Sequence, residues 1–314
     1  MPTALGFVVL GSVLLYAGAH LLIRGASSLA RGMGVAPAVV GLTVVAFGTS
    51  LPELVVTVTA ALRGNADIAL GNVVGSNIAN MGLILGLATA IRSLSVEFTL
   101  LKREVPMGLG AVALVVLLSL DGVLGRGDAV VLLCAFAAFL WWSVAGERKA
   151  PGEVQARYHR ASASRLRRGM EALAAVAGLA GVLLGGHLLV EGGVTVARLL
   201  GVPPVIVGLT LVAVGTSLPE LAASLVAAAR GEDDISVGNV LGSNLFNLLG
   251  ILGVAAFLDP ISVPPTFFRF QYPVLAAFTL ALLPICRTGM GISRGEGVLL
   301  LTGYAAYVGA LYLR

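Results

Sequence analysis

The hexapeptide GTSLPE occurs twice, at 48–53 and 215–220, and each copy sets a glutamate, Glu53 or Glu220, in a run otherwise made of Val, Ala and Leu. A carboxylate in so apolar a setting is costly, and in a bilayer such a group pairs or lines an ion path. The proline before each, Pro52 or Pro219, lacks an N–H and pushes away the carbonyl four residues back, that of Gly48 or Gly215. The break is expected to loosen the neighbouring carbonyls of Ala46 and Ala213 as well. Thr49, Ser50, Thr216 and Ser217 add hydroxyls beside them. A second pair of motifs, GNVVGSNIAN at 71–80 and GNVLGSNLFN at 238–247, places Ser76 with Asn80, and Ser243 with Asn247, four apart on one helical face. Asn72 and Asn239 extend each stripe. Back-bonding to the preceding turn explains any one hydroxyl, and helix-to-helix glue any one amide. The whole set in register with two carboxylates points instead to a site for a hard cation. Ca²⁺ takes about six to eight oxygens, and two ionised glutamates neutralise one Ca²⁺. A soft metal would call for Cys, Met or several His.

The elements that position these residues follow from composition. Of 314 residues, 58% are hydrophobic and 11% charged, against about 25% charged in soluble domains; mean hydropathy is +0.98. The fold class expected is an all-α polytopic membrane protein. With about twenty apolar residues per span, the chain divides into ten transmembrane helices near 3–23, 36–62, 68–91, 104–120, 128–145, 170–190, 203–229, 235–258, 270–286 and 296–313. The first run lacks a basic leader and a cleavage pattern and reads as a retained helix. Cys134 and Cys286, in opposite halves, are expected to be buried, inert thiols.

The halves repeat each other. At a constant offset of 167, roughly 39 of 71 positions are identical between 20–90 and 187–257. Five spans per half is an odd number, so the second copy enters the membrane the other way up: two inverted five-helix repeats, 1–145 and 170–314, joined by a basic loop at 146–169. The repeated cores are 36–90 and 203–257. Inverted repeats with Gly/Pro-interrupted segments in matching places are the architecture of secondary transporters, with the site near the midplane. With the loop cytoplasmic, 15 of the 20 Lys and Arg fall on that side, which sets both termini outside. The loop is read as a topological anchor and not a nucleic-acid patch. His20 and His187 match across the repeats near the membrane edges. The run Glu232-Asp233-Asp234 is expected to be a solvated turn, with Asp67 and Asp234 capping the helices that follow.

GTSLPE, followed 23 residues after its Glu by SNxxN and present twice in inverted halves, resembles the repeats of the cation/Ca²⁺ exchanger superfamily, and most of all its prokaryotic Na⁺/Ca²⁺ branch. The resemblance implies a ten-helix fold working by alternating access. A bundle of the first and sixth helices would slide against a core of eight. It implies as ion ligands Glu53, Thr49, Ser50, Ala46, Ser76 and Asn80 from the first half, and Glu220, Thr216, Ser217, Ala213, Ser243 and Asn247 from the second. It implies exchange of several Na⁺ for Ca²⁺ in the cell membrane by a monomer, with no cofactor beyond the transported ions. Some relatives carry Asp where this chain has Asn247. Two formal negatives without a third argue against K⁺ co-transport and for electrogenic exchange. The Ca²⁺/H⁺ branch usually shows GNxxE at the first site, so proton coupling ranks second. A passive channel would share the carboxylates without needing inverted halves. An intramembrane protease would want paired Asp or HExxH, and neither is present.

Overall fold

A backbone surrounded by hydrocarbon has to satisfy its own hydrogen bonds, and a helix does so within one segment. The computed structural model describes residues 2–33, 35–95, 98–147, 165–200, 215–287 and 291–313, and nearly all of them are helical. In chain order the helices are α1 (Pro2–Met33), α2 (Pro37–Thr49), α3 (Leu51–Leu62), α4 (Ala66–Ile91), α5 (Phe98–Leu118) and α6 (Arg126–Glu147). There follow α7 (Arg165–Leu199), α8 (Leu218–Ala229), α9 (Asp233–Leu258), α10 (Tyr272–Arg287) and α11 (Arg294–Tyr312). Six helices among the described residues are long and apolar enough to cross a bilayer, and the bent pair α2–α3 makes a seventh. The protein is a multi-pass membrane protein.

The offset of 167 recurs in the architecture. It carries the bounds of α3 onto those of α8 and those of α4 onto those of α9. The equivalent helices α4 and α9 run antiparallel. Arg92, just past the end of α4, lies 3.7 Å from Asp233 at the start of α9. Two short ribbons tie the halves together: β1 (Leu94–Ser95) pairs with β4 (Gly291–Ile292), and β2 (Val123–Leu124) with β3 (Ile261–Ser262). Each ribbon is antiparallel and joins a strand of one half to a strand of the other.

Burial divides the bundle in two. The apolar windows of α4 and α9 are 72% and 89% buried, those of α1 and α7 only 33% and 28%. The central helices therefore carry the polar motifs away from lipid, and α1 and α7 lie at the periphery. The apolar core also falls into two clusters. One cluster joins α4, α5, α6, α9, α10 and α11, and a smaller one joins α1 and α7 to Val45, Ala223 and Ile235. The seam between α1 and α7 is made of glycine: Gly11, Gly18 and Gly25 on one, Gly178, Gly185 and Gly192 on the other, seven apart and again offset by 167. A Cβ on Gly18 would stand 2.6 Å from the Val182 nitrogen, and one on Gly185 2.6 Å from the Leu15 nitrogen, so backbone touches backbone.

Several expectations are corrected. The first and sixth predicted spans are longer, because α1 runs on to Met33 and α7 to Leu199. The basic loop is shorter than 146–169: α6 continues to Glu147 and α7 begins at Arg165, with 148–164 outside the described residues. The acidic run is no solvated turn. Glu232 accepts from Ser27 (2.5 Å) and Arg31 (3.0 Å) of α1, and Asp233, 8% exposed, accepts from the Ser95 amide at 3.0 Å. It is held because the end of α1 packs down on it. Asp67 and Asp234 do not cap; the N-cap positions are Asn65 and Glu232, and neither makes a side-chain cap bond. Cys134 is exposed, on the outward side of α6. In the repeated GNVxGSN motif the glycines stand four apart, and Gly238 and Gly242 receive α2 closely at Ala38 and Leu42. Gly71 and Gly75 meet no such neighbour among the described residues, and the repeat positions Val205 and Leu209 lie outside them.

Candidate ion-binding site

The helices that carry the glutamates begin just before them, at Leu51 and Leu218. Between α2 and α3 the chain bends by 48° at Ser50, whose φ, ψ of −83°, 9° fall in the bridge region between helix and strand. Ser217 repeats this before α8 at −87°, 5°. Each proline then occupies the start of a new helix, where its missing N–H costs nothing. Glu53 and Glu220 consequently sit in the first turns of α3 and α8, where the helix dipole favours negative charge. Both are 1% exposed.

The halves hold each other's carboxylates. Ser50 Oγ donates to Glu220 Oε1 at 2.7 Å, and Ser217 Oγ donates to Glu53 Oε1 at 3.2 Å. Ser217 also lies 3.4 Å from Ser76 Oγ. Thr49 Oγ1 lies 3.0 Å from the Val45 carbonyl and 3.3 Å from Asn239 Oδ1, so it is back-bonded and at the same time faces the other repeat. Glu53, Glu220, Ser50, Ser217, Ser76 and Thr49 thus meet in one buried cluster. The Ala46 carbonyl, expected to be loose, still accepts from the Ser50 amide at 3.0 Å, because the break falls after Thr49 and not before it. Thr216 is buried beside this cluster, and Ala213 lies outside the described residues.

Asn80 and Asn247 are placed by a device the sequence does not advertise. Each lies in a π-helical turn, Asn80–Ile84 in α4 and Phe246–Ile251 in α9. Such a turn inserts a residue into the helix, re-aims the side chains around it and is frequent at functional sites. Asn80 Nδ2 donates to Asn244 Oδ1 at 3.0 Å, which leaves its own carbonyl oxygen unpartnered.

Two asparagines of the expected stripe support the site from behind, through hydroxyls that were not anticipated. Asn72 donates to Thr57 Oγ1 at 2.8 Å and to the Glu53 carbonyl at 3.2 Å; Asn239 does the same to Ser224 Oγ (2.9 Å) and the Glu220 carbonyl (3.4 Å). Thr57 and Ser224 are repeat mates, so the matching hydroxyl was visible in the sequence. Only the helix packing gives it a purpose. Asn77 and Asn244 share the SN dipeptide with the serines, and both are buried.

The chemistry of the cluster lies in what is left unmade. Glu53 Oε2, Glu220 Oε2, Asn80 Oδ1, Asn247 Oδ1 and Ser243 Oγ are all buried without a partner. An unpartnered buried polar atom costs about 1–3 kcal/mol and more when charged, and two of these five are carboxylate oxygens. Oxygens of this kind suit a hard cation. Among the described residues no cluster of three or more His, Cys, Asp and Glu exists, so the donors beyond the two carboxylates are neutral oxygens.

A multi-pass helical bundle with crossed, buried, oxygen-rich helix breaks defines a membrane transporter and not an enzyme. The comparisons with known proteins agree. The family model for the sodium/calcium exchanger protein matches residues 3–145 and 170–313. The CaxA protein of Alkalimonas amylolytica is 38% identical over 98% of this chain and 98% of its own length. The sodium/calcium exchanger MaX1 of Methanosarcina acetivorans is 33% identical over 97% of each. A solved structure of the sodium-calcium exchanger NCX_Mj, soaked with Na⁺ and Ca²⁺, superposes with a TM-score of 0.85 at 33% identity, covering 98% of both chains. The chain belongs to the sodium/calcium exchanger protein family, in its prokaryotic cation/Ca²⁺ antiporter branch.

Proposed function

We propose that the protein exchanges Na⁺ for Ca²⁺ across the cell membrane by alternating access, at the site framed by Glu53 and Glu220. The observation that carries this reading is the set of five unpartnered buried oxygens at repeat-related motifs. Glu53, Glu220, Thr49, Thr216, Ser50, Ser217, Ser76, Ser243, Asn80, Asn247 and the carbonyls of Ala46 and Ala213 form the ligand set, which Ca²⁺ and Na⁺ occupy in turn. Ten spans in two inverted five-helix repeats set the architecture, with both termini outside and the basic loop in the cytoplasm. Antiparallel α4 and α9, equivalent at offset 167, support that inversion. The α1–α7 pair, with its own apolar cluster, is the body that slides against the rest.

The charges set the coupling. Two carboxylates balance one Ca²⁺. If more than two Na⁺ replace it, the loaded site differs in charge between the half-cycles and exchange is electrogenic. The test is uptake of radiolabelled Ca²⁺ into proteoliposomes loaded with Na⁺ and diluted into Na⁺-free buffer, beside a pH-gradient control. Uptake that requires internal Na⁺ and responds to membrane potential is expected. Uptake driven by the pH gradient alone would make the protein a Ca²⁺/H⁺ antiporter.

Asn247→Asp adds a third buried negative charge at a carbonyl that has no partner. It is expected to shift the Na⁺ dependence of uptake or introduce a K⁺ dependence. Unchanged ion dependence would place Asn247 outside the site.

A further inference from the structure

The end of α1 is gripped by a turn of the other repeat. That turn joins α8 to α9, and its carboxylates Glu232 and Asp233 have different partners. Glu232 Oε1 accepts from Ser27 Oγ at 2.5 Å and from Arg31 Nη1 at 3.0 Å. Arg31 Nη1 also donates to Ser27 Oγ at 2.5 Å, so the three side chains close a triangle around a hydroxyl that is 1% exposed. Asp233 accepts from the Ser95 amide at 3.0 Å and lies 3.7 Å from Arg92 Nη2, just past the end of α4. Asp233 therefore fixes the turn to the core, and Glu232 presents it to α1. Glu232 makes no cap bond, so the start of α9 does not call for its carboxylate.

The repeat shows that this contact is one-sided. At offset 167 the mates of Ser27, Glu232 and Asp233 are Val194, Asn65 and Ala66, and Arg31 alone keeps its type, as Arg198. Without the hydroxyl and both carboxylates, α7 and the turn between α3 and α4 cannot make the same bonds. The apolar packing is uneven in the same sense. Ala223, Val226 and Ala227 of α8 join the cluster of α1 and α7, and their mates Val56, Thr59 and Ala60 do not. Helices that repeat thus carry this tie at one end of the molecule only.

We propose that the α8–α9 turn is a conformational catch. With Glu232 on Ser27 and Arg31, it holds α1 docked on the core and keeps the exchanger closed at that end, the end that the topology above places in the cytoplasm. The inference rests on the reading of α1 and α7 as the sliding body. An exposed ion pair by itself would hold little, but this one shares a buried hydroxyl, and a hydrogen bond to a charged group is stronger than a neutral one. The catch and the exchange site also share one short helix, since α8 carries Glu220 in its first turn and ends just before Glu232.

The test is the distance between spin labels at two exposed positions, Leu21→Cys in α1 and Ile91→Cys at the end of α4. It is read by pulsed electron paramagnetic resonance on the full chain in detergent, with Cys134 and Cys286 changed to serine. At saturating Na⁺ the labelled parent is expected to show two distances, the docked one dominant. Glu232→Ala should shift the ratio away from the docked form by about tenfold or more, because it removes the ion pair and a hydrogen bond to a charged group together. Ser27→Ala keeps the ion pair and should shift it less. Asn65→Ala, at the repeat mate, should leave it unchanged. Should Glu232→Ala fail to fold, Ser27→Ala carries the test. Two distances whose ratio neither variant moves would overturn the catch and leave the sliding body standing. A single distance in every protein, with and without Na⁺, would overturn the sliding body and the catch with it.

Discussion

Glu53→Gln and Glu220→Gln are each expected to abolish Ca²⁺ uptake while leaving the protein folded. Each change preserves shape and hydrogen-bonding reach but leaves one carboxylate to face a divalent ion. Removing one member of a buried charge pair costs about 3–5 kcal/mol, which is roughly a hundredfold to a thousandfold or more in affinity. Stability should move the other way. Both carboxylates are 1% exposed, and each has one oxygen without a partner. Replacing one charge by an amide in Ca²⁺-free, Na⁺-poor buffer removes a desolvation penalty, so the melting temperature should hold or rise. A structural role predicts the reverse, a lower melting temperature with transport lost only because the protein is. Measuring uptake and melting on the same preparation separates the two, and normal Ca²⁺ flux in either well-folded variant would remove that glutamate from the site. The serine pairs predict a smaller version of the same result. Ser50→Ala should damage the Glu220 side of the site, and Ser217→Ala the Glu53 side, because each serine serves the other half's carboxylate.

What the sequence made legible here came from repetition. A carboxylate, a proline or an SN dipeptide read singly has a bland explanation, but the same residues at one offset of 167 do not. The helix breaks at Ser50 and Ser217 follow from proline chemistry alone. The matched bounds of α4 and α9 follow from the repeat at offset 167. Other features were illegible for physical reasons. A π-turn is one inserted residue with no compositional mark, so the re-aiming of Asn80 and Asn247 had to be seen. The acidic turn at Glu232 looked solvated because its partners, Ser27 and Arg31, are some 200 residues away in the chain.

Gly178→Val is expected to cost transport as completely as loss of a glutamate, and by a different route. A Cβ at position 178 would overlap the backbone nitrogen of Leu22 and stand 2.7 Å from the Gly18 carbonyl oxygen. Both are main-chain atoms, so no rotamer change relieves the clash and α1 must move as a body. The seam has no slack to absorb this, since Gly11, Gly25, Gly185 and Gly192 make the same kind of contact along it. Overpacking a tight interface costs about 1–3 kcal/mol, occasionally more, and here it also spreads the two helices whose joint movement the alternating-access reading requires. Gly6→Ala, in the partner helix α1 and with nothing within 4 Å of the added Cβ, is the control and should transport normally. Gly178→Ala should fall between the two, with a lowered melting temperature and slowed uptake. Because Glu53 and Glu220 lie outside the seam, equilibrium Ca²⁺ binding in whatever fraction of the valine variant folds should persist while uptake is lost. A Gly178→Val protein that carries Ca²⁺ at the normal rate would show that α1 and α7 need not stay joined, and the sliding two-helix body would have to be abandoned.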